Sequence, residues 1–402
     1  MTTTQTVPDG VEKTTRSWGG LAAGARQYGI MAALVLIVLL FQFLTGGRLL
    51  QPNNVVSLVQ QNAYVFILAV GMLMIIVAGH IDLSVGSVVA AVGGVAGILM
   101  ADYGVNPWLV VLISLVVGAL IGAWQGFWVA FVGVPAFIVT LGGMLIFRGV
   151  ALVLVGYTRA GFPNDFLAIS NGGLAGLTGF VGQLDAFTLI VGGLAIVGVV
   201  GSTLWNRGQH AKRGLEVEHI GMVVAKLVGL VVLLGVVTYW VASSNLGLPY
   251  VLIIVGAVVF FYAWLMDNVV FGRNIYAMGG NLAAAKLSGI DTKKVNFWLF
   301  VHMGVLCGLA AIITTSRAGA AIAAAGQNYE LDAIAACFIG GAAVTGGVGR
   351  ITGAIVGALI MGVLNMGLSI MGVDPSWQFI IKGLVLIVAV AFDLMNKNKN
   401  AG

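Results

Sequence analysis

Three polar side chains alternate with apolar ones at residues 79–87, which read Gly-His-Ile-Asp-Leu-Ser-Val-Gly-Ser and follow an apolar run that ends at Ala78. Asp82 stands where a carboxylate can accept backbone N–H bonds at the start of a helix and meet the positive end of its dipole. Alternatively, His80, Asp82 and Ser84 shape a polar gap through which a solute passes, because ionisable groups inside apolar spans usually serve a path or a pair. No second carboxylate stands beside Asp82 for acid–base work, so a catalytic role is not predicted.

Three further polar residues lie inside apolar runs. Residues 135–142 read Pro-Ala-Phe-Ile-Val-Thr-Leu-Gly, so that Thr140 adds a hydroxyl, and Arg148 follows in the same run. We expect Arg148 to pair with a carboxylate or with helix-end carbonyls more readily than with a solute. Lys382 is expected to extend toward the outer membrane interface.

Composition decides which elements position these residues. With 60% hydrophobic and 8% charged residues among 402, the chain cannot cover a water-soluble globule with polar surface. Several apolar stretches reach the roughly 20 residues that a spanning helix needs. The 59 glycines suit a membrane bundle, because small residues let helices approach closely. Cys307 and Cys337 fall in apolar runs and are interpreted as small packing residues.

Hydropathy predicts an all-α, polytopic transmembrane helical bundle of about ten to twelve spans. The predicted spans are 27–44, 63–79, 83–101, 107–131, 134–155, 186–205, 220–241, 248–267, 296–316, 330–346, 350–371 and 376–394. Two connections between these spans are poorly defined by hydropathy. The break at 80–82 is short for a loop between two spans, and the Gly-rich stretch 340–350 could be re-entrant. Irregular backbone at membrane depth survives only where protein buries it or water wets it, so either connection could line a path.

Basic residues predict the orientation. If the spans alternate, only Arg48, Arg159 and Arg317 fall on the side opposite the N-terminus, and the other loop cations share the N-terminal side. Because positive residues gather in the cytoplasm, both termini are predicted to be cytoplasmic. This bias accounts for the net charge of +5 without a nucleic-acid partner. The predicted parts are a disordered cytoplasmic tail at 1–26, a transmembrane domain at 27–394 and a cytoplasmic tail at 395–402.

A small-residue segment lies within the predicted cytoplasmic loop 268–295. Residues 279–291 read Gly-Gly-Asn-Leu-Ala-Ala-Ala-Lys-Leu-Ser-Gly-Ile-Asp, an Ala-rich stretch with little bulk that can seat in a groove on a partner. It resembles the cytoplasmic coupling loop of ABC importer permeases, whose pattern is Glu-Ala-Ala-x-x-x-Gly. Ala284, Ala285 and Gly289 match this pattern, and Ala283 replaces its acidic residue.

The motif at 79–87 resembles the Gly-Gly-Ile-Asp-Leu-Ser-Val-Gly signature of ribose/xylose/galactose-type sugar permeases of ABC importers, with His80 in place of the second glycine. Further matches, in family order across nearly the whole chain, are 135–142 with Arg148-Gly149, 272–290 and 340–353. Residues 186–267 hold three apolar runs around a basic loop at 206–219, a length similar to that of xylose and multiple-monosaccharide permeases. We therefore interpret 186–241 as an extra helix pair outside the transport core.

The resemblance implies the membrane-spanning permease subunit of an ATP-driven importer for a monosaccharide such as xylose, in the bacterial inner membrane. The implied partners are a second permease copy, a cytoplasmic ATP-binding subunit, an extracytoplasmic sugar-binding protein and membrane lipid. Residues 156–185 are interpreted either as a solvated connector or as a docking surface for that sugar-binding protein. The predicted pathway residues are His80, Asp82, Ser84, Thr140 and Arg148. The residues predicted to contact the ATP-binding subunit are Asn281, Ala284, Ala285, Lys286, Leu287, Ser288 and Gly289.

The rival functions differ in their energy source. No Gly-x-x-x-x-Gly-Lys-Ser/Thr, His-Glu-x-x-His, Cys-x-x-Cys or Gly-x-Ser-x-Gly sequence occurs, so no ATP hydrolysis, other enzyme activity, cofactor or metal is predicted for this chain.

One alternative function is an ion-coupled secondary sugar transporter, which would use Asp82 beside His80 at a broken helix. A non-transporting scaffold would leave the pattern at 279–291 unexplained.

Overall fold

The computed structural model describes residues 18–214 and 220–399 as a bundle of helices with four short strands. The elements of the first half are α1 (Trp18–Leu44), α2 (Pro52–Val77), α3 (Val85–Ala101), α4 (Pro107–Phe127) with a π-helical turn (Trp128–Val132), α5 (Ala136–Val155), β1 (Arg159–Ala160), α6 (Asn164–Asn171), β2 (Phe180–Val181), β3 (Leu184–Asp185) and α7 (Ala186–Lys212). Those of the second half are α8 (Ile220–Ala242), α9 (Tyr250–Asn268), α10 (Val270–Gly280), α11 (Leu282–Leu287), α12 (Thr292–Ala318), β4 (Ala320–Ala321), α13 (Tyr329–Ile339), α14 (Ile351–Ile370) and α15 (Pro375–Lys399).

The predicted all-α membrane bundle is confirmed. Within the described residues, eight helices are long and apolar enough to cross a membrane: α2, α4 with its π-helical turn, α5, α7, α8, α9, α12 and α14. Shorter apolar helical stretches occur in α1, α3 and α15. The strands form two small antiparallel pairs, β1 with β4 and β2 with β3, and leave the architecture helical.

Contacts between distant parts of the chain fix the direction of the helices. The end of the bundle that carries α11 is called the α11 face. There the N–H of Gly347 donates to the carbonyl of Val77, the last residue of α2, at 2.8 Å. At the opposite face, β1 pairs with β4, and the N–H of Asn245 donates to Asn53 Oδ1 at 3.0 Å. The chain therefore runs from the opposite face to the α11 face through α2 and returns through α12.

Two crossings are broken and begin with irregular backbone. Helix α13 has 11 residues, which span about 16 Å of the roughly 30 Å hydrocarbon core. The turns at 322–328 complete that crossing on the side of the opposite face. Helix α3 has 17 residues and follows the irregular stretch 80–84.

The predicted helical span 330–346 is therefore wrong. Helix α13 ends at Ile339, and the Gly-rich stretch 340–350 forms the turn to α14 at the α11 face. Irregular backbone enters the bundle one segment earlier, at 322–328. It is tolerated there because neighbouring groups bind its carbonyls, so the membrane does not face unpaired polar groups.

Helix α2 begins earlier than hydropathy predicted, because its first turns carry polar side chains that the bundle satisfies. The Gln60 amide donates to the carbonyl of Ser170 at 2.9 Å. The Asn62 amide donates to the carbonyl of Leu58 at 2.9 Å and accepts from the Asn365 amide at 2.9 Å. A hydropathy window counts these residues as unfavourable, whereas the folded chain pairs them.

The boundaries of the predicted tails also move. Helix α1 begins at Trp18, within the predicted tail 1–26, where Leu and Ala at 21–23 and 25 favour helix although three glycines oppose it. Residues 1–17 lie outside the described part. Helix α15 continues to Lys399, within the predicted tail 395–402, because no glycine or proline interrupts it after Gly383.

Helices α4 and α12 cross at backbone contact. Gly118 and Gly122 of α4 face Gly304 and Gly308 of α12, and a Cβ added at Gly122 would collide with the carbonyl oxygen of Phe300. Four-residue spacing puts small residues on one helix face and allows this approach. The crossing brings the part of α4 that carries Gln125 beside the start of α12.

The segment 156–185 is folded and packs against α12 at the opposite face. The Ser316 hydroxyl donates to the carbonyl of Phe166 at 2.7 Å, and the Arg317 guanidinium donates to Asn171 Oδ1 at 3.2 Å. Asp185 accepts backbone N–H bonds from Gly176 and Thr188, both at 2.8 Å, and caps α7. The segment is therefore folded against the bundle, and its role as a connector or as a docking surface stays a prediction.

Helices α7 and α8 are the most exposed spans. Only 6% of the most apolar window of each is buried inside the chain. They pack on each other where Gly192 meets Thr238. Their assignment outside the transport core stays a prediction, and this exposure supports it.

Candidate functional site

The turn before α3 collects three of the predicted pathway residues. The N–H and the hydroxyl of Ser84 donate to Asp82 Oδ1 at 2.8 and 2.6 Å. The Gln125 amide of α4 donates to the Ser84 hydroxyl at 2.7 Å, and the Thr140 hydroxyl of α5 donates to the carbonyl of Ile81 at 3.3 Å. Asp82 is 1% exposed. The fold thus joins Asp82, Ser84 and Thr140 and adds Gln125, which the sequence did not single out.

Asp82 takes a local structural role in this turn. Its Oδ1 atom accepts the N–H of Ser84, the residue directly before α3, and the negative charge stands near the positive end of that helix. This bond stabilises the turn that leads into α3, but it does not cap a helical N–H, so the helix-cap interpretation also stays a prediction. The pathway role of Asp82 stays a prediction.

His80 lies on the same turn but points toward the α11 face. Its Nε2 atom is 3.1 Å from Asn296 Oδ1 near the start of α12, and its ring is tilted against Phe300 with centroids 6.3 Å apart. The residue is half-buried. His80 therefore ties the turn to α12, and none of its described hydrogen bonds reaches Asp82.

Arg148 binds irregular backbone. One guanidinium nitrogen donates to the carbonyls of Ala323 and Ala325 at 3.1 and 2.9 Å, just before α13. These are carbonyl partners of the kind that the sequence suggested for this residue. Arg148 thus holds in place the segment that leads into the second broken crossing.

The starts of α3 and α13 meet inside the bundle. Gly86 lies fifteen residues before the end of α3, about 22 Å along that helix. A Cβ added at Gly86 would collide with the carbonyl oxygen of Gly326 and with the Glu330 carboxylate. The positive ends of two half-helices therefore converge on one place, where carboxylates are favoured.

Glu330 is the acidic residue at this meeting point, and the sequence interpretation missed it. Its Oε2 atom lies beside the start of α3, where a Cβ added at Gly86 would collide with it. Its Oε2 atom is buried and has no hydrogen-bond partner among the described residues. The signal was the sequence Tyr-Glu-Leu-Asp at 329–332, two carboxylates at the start of an apolar run. The fold thus brings a second carboxylate from a distant segment to the start of α3, and none of the described hydrogen bonds joins it to Asp82.

A buried ion pair holds α13 from its other side. Lys382 Nζ of α15 lies 3.2 Å from Asp332 Oδ1, and the Tyr64 hydroxyl of α2 donates to Asp332 Oδ2 at 2.7 Å. The rings of Tyr64 and Tyr329 stack with centroids 3.6 Å apart. Asp332 is 3% exposed. The expected reach of Lys382 toward the membrane interface is wrong, because a partner inside the bundle satisfies its charge.

The segment predicted to contact an ATP-binding subunit forms the short helix α11. Asn281 Oδ1 accepts the N–H of Ala284 at 3.0 Å and caps the helix start. The Ser288 hydroxyl donates to the carbonyl of Ala284 at 2.9 Å. Gly289 ends the helix with a φ of +83°, a conformation that glycine adopts without strain.

One side of α11 is anchored and the other is free. Ala285 is 4% exposed and belongs to the main hydrophobic core. Lys286 is exposed, and Leu287 is 90% exposed. Asp291 caps the following helix α12, and the hydrogen bond from the N–H of Lys294 lowers the pKa of its carboxyl group. Helix α11 therefore presents an apolar side chain outward on a well-fixed support.

Among the described residues, no group of three or more His, Cys, Asp or Glu side chains is arranged to hold a metal ion. The side chains around the meeting point of α3 and α13, namely Asp82, Ser84, Gln125, Thr140 and Glu330, are called the polar centre. Their carboxylate, hydroxyl and amide groups can exchange hydrogen bonds with a neutral solute.

Comparisons with known proteins cover almost the whole chain. The family model described as branched-chain amino acid transport system / permease component matches residues 54–390. The xylose transport system permease protein XylH of Haemophilus influenzae is 37% identical over 377 residues, which cover 92% of this chain and 97% of that protein. XylH of Escherichia coli K12 is 37% identical over 390 residues, 96% of each chain. The ribose import permease protein RbsC of E. coli K12 is 35% identical over 392 residues, 97% of this chain and 98% of its own. No solved structure matches the chain.

Proposed function

Because the chain belongs to the branched-chain amino acid transport system / permease component family and is a multi-pass permease component of an ABC importer in the bacterial inner membrane, we propose that its cargo is a monosaccharide such as xylose. The observation that carries the proposal is the match to xylose and ribose permeases along nearly the whole chain. Xylose is the cargo chosen for the tests, because the identity to the xylose permeases, 37%, is slightly higher than the 35% identity to the ribose permease.

The proposed partners occupy the two faces of the bundle. An ATP-binding subunit docks at the α11 face and receives Leu287, whose exposure in the single chain supports a covered position in the complex. A sugar-binding protein docks at the opposite face, where residues 156–185 are folded. A second permease copy completes the pathway.

The proposed path passes the meeting point of α3 and α13. His80, Asp82, Ser84, Thr140 and Arg148 position this centre. Glu330 adds a buried carboxylate oxygen without a hydrogen-bond partner, which suits a sugar hydroxyl as donor. Affinity at this site can stay low, because the separate binding protein selects the sugar.

Reconstitution tests the proposed cargo and energy source. Proteoliposomes that hold the permease with its ATPase and sugar-binding protein should take up radiolabelled xylose when ATP is present. Vesicles with the permease alone and an imposed H⁺ or Na⁺ gradient should take up none. Gradient-driven uptake without the ATPase would establish the ion-coupled rival instead.

Substitutions at Asp82 and Glu330 should separate a structural role from a pathway role. Asp82→Ala removes the acceptor for the N–H of Ser84 and should lower the free energy of unfolding by about 0.5–2 kcal/mol.

Glu330→Gln keeps the shape of the side chain and removes its charge. Because Glu330 Oε2 has no hydrogen-bond partner among the described residues, the variant should preserve stability and reduce xylose uptake. Thermal unfolding and uptake per folded molecule distinguish the two. Normal uptake by Glu330→Gln would remove this residue from the path.

Leu287→Glu should detach the ATPase without unfolding the permease. Leu287 makes few contacts in the single chain because it is 90% exposed, so the change has little effect on folding. It is a cleaner probe than a substitution at Gly289, whose φ of +83° would strain any larger residue. Co-purification of the ATPase and sugar uptake should both fall, whereas Leu287→Met should retain them. An intact complex with Leu287→Glu would exclude α11 as the docking helix.

A further inference from the structure

Three backbone segments meet without intervening side chains at the α11 face. The N–H of Gly347 donates to the carbonyl of Val77 at 2.8 Å. A Cβ added at Gly279 would collide with that same carbonyl and would lie 2.6 Å from the Gly347 nitrogen. A Cβ added at Gly346 would lie 3.1 Å from the Cα of Gly79. These five residues, Val77, Gly79, Gly279, Gly346 and Gly347, are called the glycine junction.

Each of the three segments leads to a different functional part. Gly279 lies in the last turn of α10, directly before α11. Val77 ends α2 and continues through 78–84 to the Asp82 turn and α3. Gly347 lies in the turn 340–350, which is continuous with α13 and therefore with Glu330. The junction is thus the place where the support of α11 touches the approaches to both broken crossings.

Backbone contact makes this connection stiff. A contact through long side chains can absorb a displacement by changing rotamers, whereas packed backbone groups have no such freedom and protein interiors compress little. The polar centre at the far ends of these approaches also rests on irregular backbone at 80–84 and 322–328. A shift at the junction is therefore passed along the backbone of 78–84 to the start of α3, and through α13 to its start at Tyr329.

We propose that the glycine junction transmits displacement of α11 to the starts of α3 and α13, and thereby couples the ATPase to the opening of the sugar path. The proposal rests on the proposed function and adds the residues that carry the coupling. Gly279 is a positioning residue in this scheme, since it acts through backbone neighbours and touches no sugar.

Adjacent glycines provide a matched test. Gly279→Ala places a methyl group against Val77 and Gly347, whereas a Cβ at Gly280 has no heavy atom within 4 Å. Neither glycine has a positive φ, so alanine brings no backbone strain at either position. Both variants are reconstituted with the ATPase and the sugar-binding protein, and co-purification, ATP hydrolysis and xylose uptake are measured.

Gly279→Ala should retain co-purification and ATP hydrolysis and should take up xylose about 2- to 30-fold more slowly than Gly280→Ala, the size of change seen for residues along a coupling network. Equal uptake by the two folded variants would overturn the proposal. Loss of ATPase co-purification by Gly279→Ala would also overturn it, because the defect would then lie in docking. If neither Gly280→Ala nor the unchanged protein takes up xylose, the proposed cargo is wrong, and hydrogen exchange decides on the junction.

A second test measures hydrogen exchange in the complex without any substitution. It therefore depends neither on whether a variant folds nor on which sugar is carried. A non-hydrolysable ATP analogue should alter amide exchange in 78–84 and in 340–350 together with that in α11, and the Gly347 N–H should be among the affected amides. Altered exchange in α11 with unchanged exchange in the other two segments would overturn the proposal.

Discussion

Lys382→Met should lower the free energy of unfolding of the permease by about 3–5 kcal/mol, the usual effect of removing one partner from a buried ion pair. Asp332, which is 3% exposed, would then be a buried carboxylate without its ion-pair partner. The hydrogen bond from Tyr64 remains, so the loss should fall toward the lower end of that range. Denaturant titration of the detergent-solubilised protein measures the change.

A multiple variant provides the control for this prediction. Lys382→Met combined with Asp332→Leu and Tyr64→Phe removes both charges and the orphaned hydroxyl, and replacing a whole buried polar group by apolar side chains is often neutral. It should recover most of the stability that the single change loses. If it is as unstable as Lys382→Met alone, the buried charge of Asp332 is not the cause.

Gly122→Leu should destabilise the bundle by about 3 kcal/mol or more, since overpacking usually costs 1–3 kcal/mol and here the obstacle is backbone. The new side chain would meet the carbonyl of Phe300, which cannot move without shifting α12. Because α4 also carries Gln125, the Asp82 turn should lose its hydrogen bond to that amide. Thermal unfolding of the purified protein measures the loss.

Gly193→Leu is the matched comparison for Gly122→Leu. A Cβ at Gly193 in α7 has no heavy atom within 4 Å, so the same substitution should leave the unfolding temperature nearly unchanged. Equal stability of the two variants would mean that α4 and α12 can separate without penalty. That result would contradict close packing of small residues as the force that holds these helices together.

The sequence by itself determined that the molecule is a bundle of membrane helices, and it determined structures that depend only on neighbouring residues, such as helix caps. Long apolar runs can be stable only as membrane helices, because the bilayer offers backbone groups no other partners. The caps of α11 were equally local, since Asn281 bonds to a residue three positions away and Gly289 supplies its own φ. Motifs in family order then sufficed to indicate an ABC sugar permease.

Only the tertiary structure decided the polar centre and the broken crossings. Tyr64 and Asp332 are 268 residues apart, and Lys382 and Asp332 are 50 apart, so no window along the chain could pair them. Hydropathy also averages over a window, so it merged the short helix α13 with the glycine turn after it and cut the polar first turns from α2. Whether a buried polar group is tolerated depends on the partner that packing brings to it. For that reason, Glu330 could be placed beside the Asp82 turn only after the helices had been assembled.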